Sequence, residues 1–296
     1  MLEFRKITMA DREPMTRLFA VNDFRSAEYS FANAFNWSNV FNVEVAFVDN
    51  FMLIRAGAER KSYLYPVGFG DLKTAVQWLK NDAATLQQPF VMHAILPESK
   101  LILEQLFPNE FQFTANRDVF DYVYHAEDLI NLTGKKYQPK RNHISRFKKN
   151  YDCTYEDITT DNLLECIAMN EEWCRVYGCL ENYSLRSETC VARCALTHFF
   201  DENLLGGLLR VDGQIAAYTV GERINSDTLI VHIEKAFSEK YLGVYQVINQ
   251  EFVRRHAVGL RYVNREDDAG NEGLRKAKLS YHPAFLLEKY LATSIV

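Results

Sequence analysis

Short apolar runs alternate with turn residues between positions 43 and 67. The runs VEVAFV, FMLIRAG and SYLYPV have the length of strands, and the turn dipeptide Asp49-Asn50 joins the first two. This pattern predicts an antiparallel meander. An amphipathic helix is predicted next, because apolar residues recur there at i, i+3, i+4 and i+7; they are Leu72, Ala75, Val76 and Leu79. A strand at PFVMHAIL, a helix from Pro97 to Phe107 and a β-rich segment at 111–124 complete this half.

The second half repeats this order of elements. The runs LGGLLRV, QIAAYTVG and DTLIVHIEKAF predict another meander, with a hairpin signal at Asp212-Gly213. A helix at GVYQVINQEFVRRHA, a strand at LRYVNRE, a helix at GNEGLRKAKLSY and a final strand at PAFLLEKYLA follow. Helices between strands imply that part of each sheet is parallel. We therefore predict two α/β domains, each built on a mixed sheet, at residues 1–134 and 135–296.

Length and composition agree with two folded domains. The chain has 296 residues, of which 48% are hydrophobic and 25% are charged. These values are typical of globular proteins, and the length exceeds that of one usual core. The formal net charge is −5, but the stretch KKYQPKRNHISRFKKN at 135–150 carries seven Lys or Arg and no acid. Its local positive charge favours an anionic partner, and a solvated basic helix is the structural alternative.

The sequence disfavours several other classes of protein. All six cysteines fall in the second half without the paired spacing of zinc or disulfide sites, so we expect free thiols and no metal. No apolar run approaches the ~20 residues of a membrane span, and the segment MLEFRKITMADRE is too charged for a signal peptide. We therefore expect a cytoplasmic protein with no membrane-spanning segment, and no binding to DNA.

Five segments, in the same order along the chain, resemble a known family. They are Lys140-Arg141-Asn142-His143-Ile144 with Arg146-Phe147, Ile233-Glu234-Lys235-Ala236, Tyr245-Gln246-Val247-Ile248-Asn249, Tyr262-Val263-Asn264-Arg265-Glu266, and Leu274-Arg275-Lys276-Ala277-Lys278 with Tyr281-His282-Pro283. They are similar to the family of proteins related to the C-terminal domain of phosphatidylglycerol lysyltransferase. The resemblance covers nearly the whole chain. It implies two tandem GNAT-like acyltransferase domains, an architecture shared with the Fem-type aminoacyltransferases.

The resemblance also implies a class of reaction. It implies transfer of an aminoacyl group from charged tRNA to an amine or hydroxyl, in the cleft of the second domain, with the first domain as a support. The lysyltransferases carry a long membrane-embedded region ahead of this module. This sequence contains no apolar run long enough for such a region, so we do not expect phosphatidylglycerol as the acceptor. The identity of a small-molecule acceptor is left open.

An acyl-CoA is the alternative donor, and neither donor is expected to be tightly bound. GNAT enzymes hold the pyrophosphate of CoA on backbone N–H groups of a Gly-rich turn before a helix. The corresponding stretch here keeps Gly243 but places bulky Tyr245 where a small residue is usual. Lys240 and Gly243 are the candidate cofactor-binding residues, although one glycine before a helix is also an ordinary turn.

Candidate catalytic residues lie at the ends of the two predicted central strands. Acyl transfer requires proton transfers and stabilisation of an oxyanion. Glu234 shares a strand face with His232 and could form an acid–base pair with it, or the face could be merely salt-bridged. Glu266 is a second catalytic candidate, with Asn264 as a substrate-binding candidate beside it. Acids at this position could instead complement the start of the next helix.

Two basic segments supply the remaining candidates. On the last helix, Lys278 and Tyr281 are predicted to be catalytic, with Tyr281 close to the position of a proton donor to the leaving group. Besides His232 and Asn264, five residues are predicted to bind substrate; they are Arg275, Lys276, Lys140, Arg141 and Asn142. Cations at a helix end could alternatively offset its dipole. A non-catalytic binding or regulatory module for an anionic ligand stays open, and is favoured if Glu234, Glu266 and Lys278 do not converge.

Overall fold

In a computed structural model of the chain, residues 2–295 are described, with all of their side chains except that of Leu180. The strands are β1 (Arg5–Lys6), β2 (Glu44–Val48), β3 (Phe51–Ala56), β4 (Ser62–Leu64), β5 (Val67–Gly68), β6 (Val91–Ile95), β7 (Phe111–Ala115), β8 (Asp121–His125), β9 (Cys153–Asp157), β10 (Leu205–Val211), β11 (Gln214–Arg223), β12 (Thr228–Ala236), β13 (Tyr262–Asn264), β14 (Phe285–Leu287) and β15 (Tyr290–Ser294). The α-helices are α1 (Arg12–Asn22), α2 (Phe31–Asn36), α3 (Ser38–Phe41), α4 (Leu72–Thr85), α5 (Pro97–Leu106), α6 (Ala126–Asn131), α7 (Gln138–Asn150), α8 (Leu163–Val176), α9 (Tyr183–Thr197), α10 (Val244–His256) and α11 (Glu272–Leu279).

The first compact unit is built on a mixed sheet with the order β1-β2-β3-β4-β6-β15-β7, and β5 also pairs with β3. The β2–β3 hairpin turns at Asp49, whose φ of 52° lies in the left-handed region that Asp tolerates. The next helix, α4, begins where the Asp71 side chain accepts hydrogen bonds from two backbone N–H groups. It connects β4 to β6, which pair in parallel. The predicted elements of this half are therefore confirmed.

The second compact unit has the sheet order β14-β8-β13-β12-β11-β10-β9. Antiparallel pairing joins β10, β11 and β12, which form the predicted meander. The crossover helix α10 then leads to β13, which is parallel to β12. The predicted apolar stripe of α10 is buried; it consists of Val244, Val247, Ile248 and Phe252. This arrangement places β13 beside the first residues of β12, Thr228 to Ile230.

The bounds of the two units differ from the predicted division at Gly134. The first unit contains Met1–Asp121, Asp267–Arg275 and Leu286–Val296, and the second contains Tyr122–Glu266 and Lys276–Phe285. The physical reason is strand pairing. β8 pairs with β13, and β15, the last strand of the chain, lies between β6 and β7. The sequence pattern predicts that such strands exist but not which sheet they join. The predicted single final strand is in fact two strands, β14 and β15.

Candidate functional site

The two central strands of the second unit separate at the site. β12 and β13 pair in parallel only through Thr228–Ile230 on the β12 side. Beyond that region β12 continues, whereas β13 ends. His232 and Glu234 lie on the continuing part of β12, and the pairing with β11 skips His232 between Val231 and Ile233. Arg265 and Glu266 directly follow β13. Polar side chains from both strands therefore meet where the pairing stops.

Glu234 is held through one of its two carboxylate oxygens. Arg265 Nη2 donates to Glu234 Oε2 at 3.1 Å, and Asn249 Nδ2 on α10 donates to the same oxygen at 3.2 Å. The side chains of Glu234 and Arg265 are only 11% and 13% exposed. Glu234 Oε1 is buried and has no hydrogen-bond partner within the described part of the chain. Because an unpaired buried acceptor costs about 1–3 kcal/mol or more, this oxygen is a position where a ligand donor would be stabilised.

Arg265 is fixed from the other side by residues around α11. Its guanidinium carbon lies 5.0 Å from the centroid of the Tyr281 ring, and Lys278 Nζ donates to the Arg265 carbonyl oxygen at 2.6 Å. Tyr124 Oη in turn donates to the Lys278 carbonyl oxygen at 2.8 Å. Burial raises the pKa of Tyr281 above its ordinary value, against the opposing charge of Arg265. Tyr281 therefore holds its proton at neutral pH and is available as a proton donor.

Lys140 reaches the same aromatic ring from α7. Its Nζ lies 3.9 Å from the centroid of the Tyr281 ring and donates to Ser280 Oγ at 2.6 Å. Burial, reinforced by the charge of Arg265, lowers the pKa of Lys140 to about 8. Lys140 and Arg265 are thus two cationic side chains that face one aromatic ring. Both contacts are within the ~6 Å range of favourable cation–π geometry.

His232 bridges two carboxylates and does not pair with Glu234. His232 Nδ1 lies 2.7 Å from Glu266 Oε1, and His232 Nε2 lies 3.0 Å from Glu222 Oε1 on β11. Burial alone would lower the pKa of His232, but the hydrogen bonds and charges of Glu222 and Glu266 outweigh it and raise the pKa to about 10. At neutral pH His232 is therefore an imidazolium that donates to both carboxylates. The predicted acid–base pair of Glu234 and His232 is corrected by this geometry.

The backbone at Glu266 is in the left-handed region, with a φ of 54°. The Asn264 side chain stabilises this turn, because Asn264 Oδ1 accepts from the Glu266 N–H at 2.7 Å. The Glu266 carbonyl oxygen accepts from the Tyr122 N–H at 3.0 Å. A non-glycine residue in this region costs about 1–2 kcal/mol, and such strain is often found at functional sites. Here the turn directs Glu266 to His232 and places Arg265 next to Glu234.

The raised pKa of His232 makes stability depend on pH. A histidine whose folded pKa exceeds its unfolded value of about 6.5 contributes stability that is complete below that value. The contribution is lost as pH rises through about 10. We expect the free energy of unfolding of the wild type to fall over this window relative to that of His232→Gln. Urea denaturation of both proteins at several pH values measures the difference, and equal pH slopes would contradict the assignment. Imidazole ¹⁵N NMR provides an independent check, since both ring nitrogens should carry protons at pH 8.

Three of the predicted site residues contact Arg265; they are Glu234, Lys278 and Tyr281. Lys140, a fourth, contacts the ring of Tyr281. Glu266 lies one residue along the chain from Arg265 but faces His232. Glu234, Glu266 and Lys278 therefore do not converge as one group: Glu234 and Lys278 contact Arg265, whereas Glu266 belongs to the neighbouring cluster with His232 and Glu222. Asn264 supports the turn at Glu266.

The other predicted residues have contacts that explain them structurally. Arg275 donates to both oxygens of Asp268, at 2.8 and 2.9 Å, and to Asp118 at 2.7 Å. Arg141 donates to the backbone carbonyls of Leu132 and Gly134 and to the side chain of Gln138. Asn142 accepts from Gln138 at 2.8 Å, and Lys276 and Lys240 are exposed. These side chains stabilise turns and helix ends or lie at the surface.

Gly243 is required by packing. Its φ is 97°, and a Cβ added there would lie 3.0 Å from the His143 carbonyl oxygen of α7. The turn before α10 is therefore packed against a helix backbone. This contact explains the glycine without a phosphate, so the pattern that suggested a cofactor turn has a structural cause.

Sequence reasoning missed three members of the site. Arg265 directly follows β13, next to the predicted catalytic residue Glu266. Asn249 lies on the α10 face whose apolar neighbours dominate the helical pattern. Glu222 lies on β11, and only the β11–β12 pairing brings it to His232. Two signals were available: Arg265 is adjacent to a strand end, and both Arg265 and Asn249 lie in segments that resemble the family.

The described residues include no group of three or more His, Cys, Asp or Glu side chains placed to hold a metal ion. Within residues 2–295, no helix combines the length and the apolar character that crossing a membrane requires. The six cysteines are free thiols.

The fold defines the class of protein. Two mixed sheets, each with a meander, a crossover helix and a parallel strand, form tandem GNAT-like domains. A tandem GNAT protein from the clavulanic acid biosynthesis pathway has this fold, with a TM-score of 0.50 and 13% identity over 99% of this chain and 98% of that one. The family described as phosphatidylglycerol lysyltransferase, C-terminal, matches residues 19–293. The chain belongs to this family.

Individual relatives agree with this placement. A conserved protein of unknown function from Bacteroides thetaiotaomicron VPI-5482 is 40% identical, with a TM-score of 0.95 over 99% of this chain and 100% of that one. L-PGS from Bacillus licheniformis is 13% identical, with a TM-score of 0.66 over 95% and 91% of the two chains. The uncharacterized protein MYCGA3080 of Mycoplasmoides gallisepticum is 27% identical over 179 residues, which are 59% of this chain and 56% of that protein. The match thus spans about half the length of this curated relative.

Proposed function

We propose that this chain is an acyltransferase that moves an aminoacyl group from a charged tRNA to an amine or hydroxyl acceptor. One observation carries the proposal: Glu234 Oε1 is buried without a partner, beside Arg265, where β12 and β13 separate. An α-ammonium group is a donor that would satisfy this oxygen. An aminoacyl ester carries such a group next to its reactive carbonyl, whereas an acetyl group does not.

The surrounding side chains can perform the steps of the transfer. The Glu234 carboxylate would hold the α-ammonium, and the Arg265 guanidinium beside it would stabilise the negative charge that develops on the carbonyl oxygen. Attack by the acceptor forms the new amide or ester bond and breaks the bond to the tRNA 3′-oxygen. Tyr281, which holds its proton, would donate it to that oxygen and recover one from the acceptor. Atoms and charge then balance without a further reactant.

An acyl-CoA donor is the alternative, and the turn before α10 favours it less. That turn is packed against the α7 backbone at Gly243, and Tyr245 follows two residues later. A non-catalytic module that holds an aminoacylated or other cationic ligand on Glu234 is the second candidate function. This candidate rests on the same observation, the unpaired Oε1 of Glu234, and differs from the transferase only in lacking turnover.

A pair of donor analogues tests the role of Glu234. The probes are 3′-lysylamino-3′-deoxyadenosine and its form acetylated at the α-nitrogen, with binding measured by isothermal titration calorimetry. A charge-assisted hydrogen bond is worth about 1.5–3 kcal/mol, so we expect the free α-amine to bind roughly 10-fold to 100-fold more tightly. Glu234→Gln should remove this preference. Glu239→Gln, at an exposed carboxylate of the same unit, should retain it.

The same titrations can overturn the proposal. Equal affinity of the wild type for the two analogues would show that no carboxylate binds the α-ammonium group. Binding of acetyl-CoA but of neither analogue would favour the CoA donor.

A further inference from the structure

His232 is the extra residue of a β-bulge in β12. The pairing of β11 with β12 shifts register between Val220 and Gly221 and skips His232. The neighbouring strand is adapted to this bulge, because a Cβ on Gly221 would lie 2.1 Å from the Ile230 carbonyl oxygen. Bulges are frequent beside functional sites, where they redirect a side chain. The direction of the His232 side chain is therefore set by its own contacts and not by the regular alternation of the strand.

Both ring nitrogens of His232 contact carboxylates. Nε2 lies 3.0 Å from Glu222 Oε1 on β11, and Nδ1 lies 2.7 Å from Glu266 Oε1 beyond the end of β13. The side chain of His232 is only 11% exposed. Since β12 lies between β11 and β13 in the sheet, His232 connects the turn after β13 to the strand on the far side of β12.

The turn that His232 contacts is in an unfavourable backbone conformation. Glu266 has a φ of 54°, in the left-handed region that residues other than glycine usually avoid. Asn264 Oδ1 accepts from the Glu266 N–H at 2.7 Å, and the Tyr122 N–H donates to the Glu266 carbonyl oxygen at 3.0 Å. These two contacts hold the backbone of Glu266, and the contact with His232 holds its side chain. Such a conformation persists when the surrounding contacts fix it.

Arg265 lies directly between β13 and this turn. Its guanidinium contacts Glu234 Oε2 at 3.1 Å, and its carbonyl oxygen accepts from Lys278 Nζ at 2.6 Å. Its N–H donates to the Tyr122 carbonyl oxygen at 3.0 Å. Because β13 and these backbone contacts fix the chain on both sides, a relaxation of the dihedral angles at Glu266 would have to be shared by Arg265. The position of the Arg265 side chain therefore depends on the turn.

We propose that His232 is a positioning residue: it fixes the left-handed turn at Glu266 and thereby holds the Arg265 guanidinium where the oxyanion of the proposed transfer develops. His232 acts through Arg265 and not by contact with substrate, in contrast to the sequence-based prediction that it binds substrate. The catalytic part of this inference rests on the proposed function. The hold on Arg265 can be measured without any substrate.

The hold on Arg265 is tested by ¹⁵N NMR of the arginine Nε–H groups in the full chain. A guanidinium buried against a carboxylate exchanges its Nε proton slowly with water, and Arg265→Lys identifies the signal by its absence. We expect His232→Gln to broaden or remove this signal. Leu196→Ala, at a buried residue of α9, is the control for a general loss of stability and should retain it. A sharp Arg265 signal in His232→Gln, or none in the wild type, would overturn the proposal.

The effect on the reaction is tested by single-turnover transfer from charged tRNA. We expect His232→Gln to lower the rate by about 100-fold, because small displacements of a catalytic group have effects of this size. Affinity for 3′-lysylamino-3′-deoxyadenosine should change by less than about 3-fold, because Arg265 acts on the transition state and not on donor binding. A loss of affinity as large as the loss of rate would contradict a positioning role.

A double-mutant cycle separates the turn from a general loss of structure. Glycine adopts a positive φ without steric cost, so His232→Gln should have a smaller effect on the rate in the Glu266→Gly background than in the wild type. Equal losses of rate in the two backgrounds would overturn the assigned role. An inactive wild type whose Arg265 signal still depends on His232 would reject the proposed function alone.

Discussion

Replacing Lys289 by methionine is expected to lower the free energy of unfolding of the first unit by about 3–5 kcal/mol, the usual cost of breaking a buried ion pair from one side. Lys289 Nζ lies 2.7 Å from Asp121 Oδ1 and 2.8 Å from Glu28 Oε1. The side chains of Lys289 and Asp121 are 1% and 0% exposed. The substitution would remove the ammonium that both carboxylates contact.

The cluster also connects distant parts of the chain within that unit. Lys289 precedes β15, and Asp121 Oδ2 accepts from the backbone N–H of Ala27 at 3.2 Å. Urea denaturation measured by far-UV circular dichroism gives the change in stability. Lys100→Met is the matched control, because its i,i+4 pair with Glu104 is more exposed and should contribute less than about 0.5 kcal/mol.

A second substitution shows that the loss is electrostatic. Adding Asp121→Asn to Lys289→Met removes one of the two carboxylate charges that faced the ammonium. The double variant should therefore be more stable than the sum of the two single losses in free energy of unfolding predicts. Additive losses, or a single Lys289→Met loss as small as that of Lys100→Met, would contradict the assigned role of the cluster.

Replacing Arg265 by methionine is expected to lower the rate of aminoacyl transfer by at least about 100-fold, the usual effect of removing one donor to a developing oxyanion. Arg265 is the residue that joins Glu234 to Tyr281. Its loss would also leave the buried Glu234 carboxylate with only Asn249 as a partner. Single-turnover loss of labelled amino acid from charged tRNA measures the rate.

Folding must be separated from chemistry in this test. The double variant Glu234→Gln with Arg265→Met removes both charges and should recover stability while remaining inactive. Arg175→Met is the control, because Arg175 is 77% exposed and pairs with Glu172 on the same helix. A rate for Arg265→Met close to that of the control would exclude Arg265 from the transfer step.

Local sequence patterns predicted most of the elements of this fold. The hairpin at Asp49-Asn50, the stripe of α4 and the crossover helix α10 all depend on interactions between near neighbours, which the pattern records. The sheet assignments of β8 and β15 depend on pairing across more than 100 residues. Apolar alternation is the same whichever sheet receives a strand, so the boundary at Gly134 could not be corrected from sequence.

The site was predicted only in part, because some of its contacts depend on long-range strand pairing. The segments that resemble the family contain Glu234, Lys278 and Tyr281, which contact Arg265, and Lys140, which contacts the ring of Tyr281. The partners of His232 could not be predicted, because Glu222 reaches it through strand register and Glu266 through a left-handed turn. Arg275 and Arg141 have the residue type of ligand-binding cations, and only their contacts show that they stabilise the fold.

The most direct test of the proposed function is the deacylation of charged tRNA by the full chain. Lysyl-tRNA labelled in the amino acid is compared with the same tRNA acetylated at the α-nitrogen, in the presence of hydroxylamine as a simple amine acceptor. We expect the wild type to transfer the free lysyl group to hydroxylamine faster than the acetylated one, and Glu234→Gln to lose the difference. Equal rates for the two donors, or release of thiol from acetyl-CoA in place of any transfer from tRNA, would contradict the role assigned to Glu234.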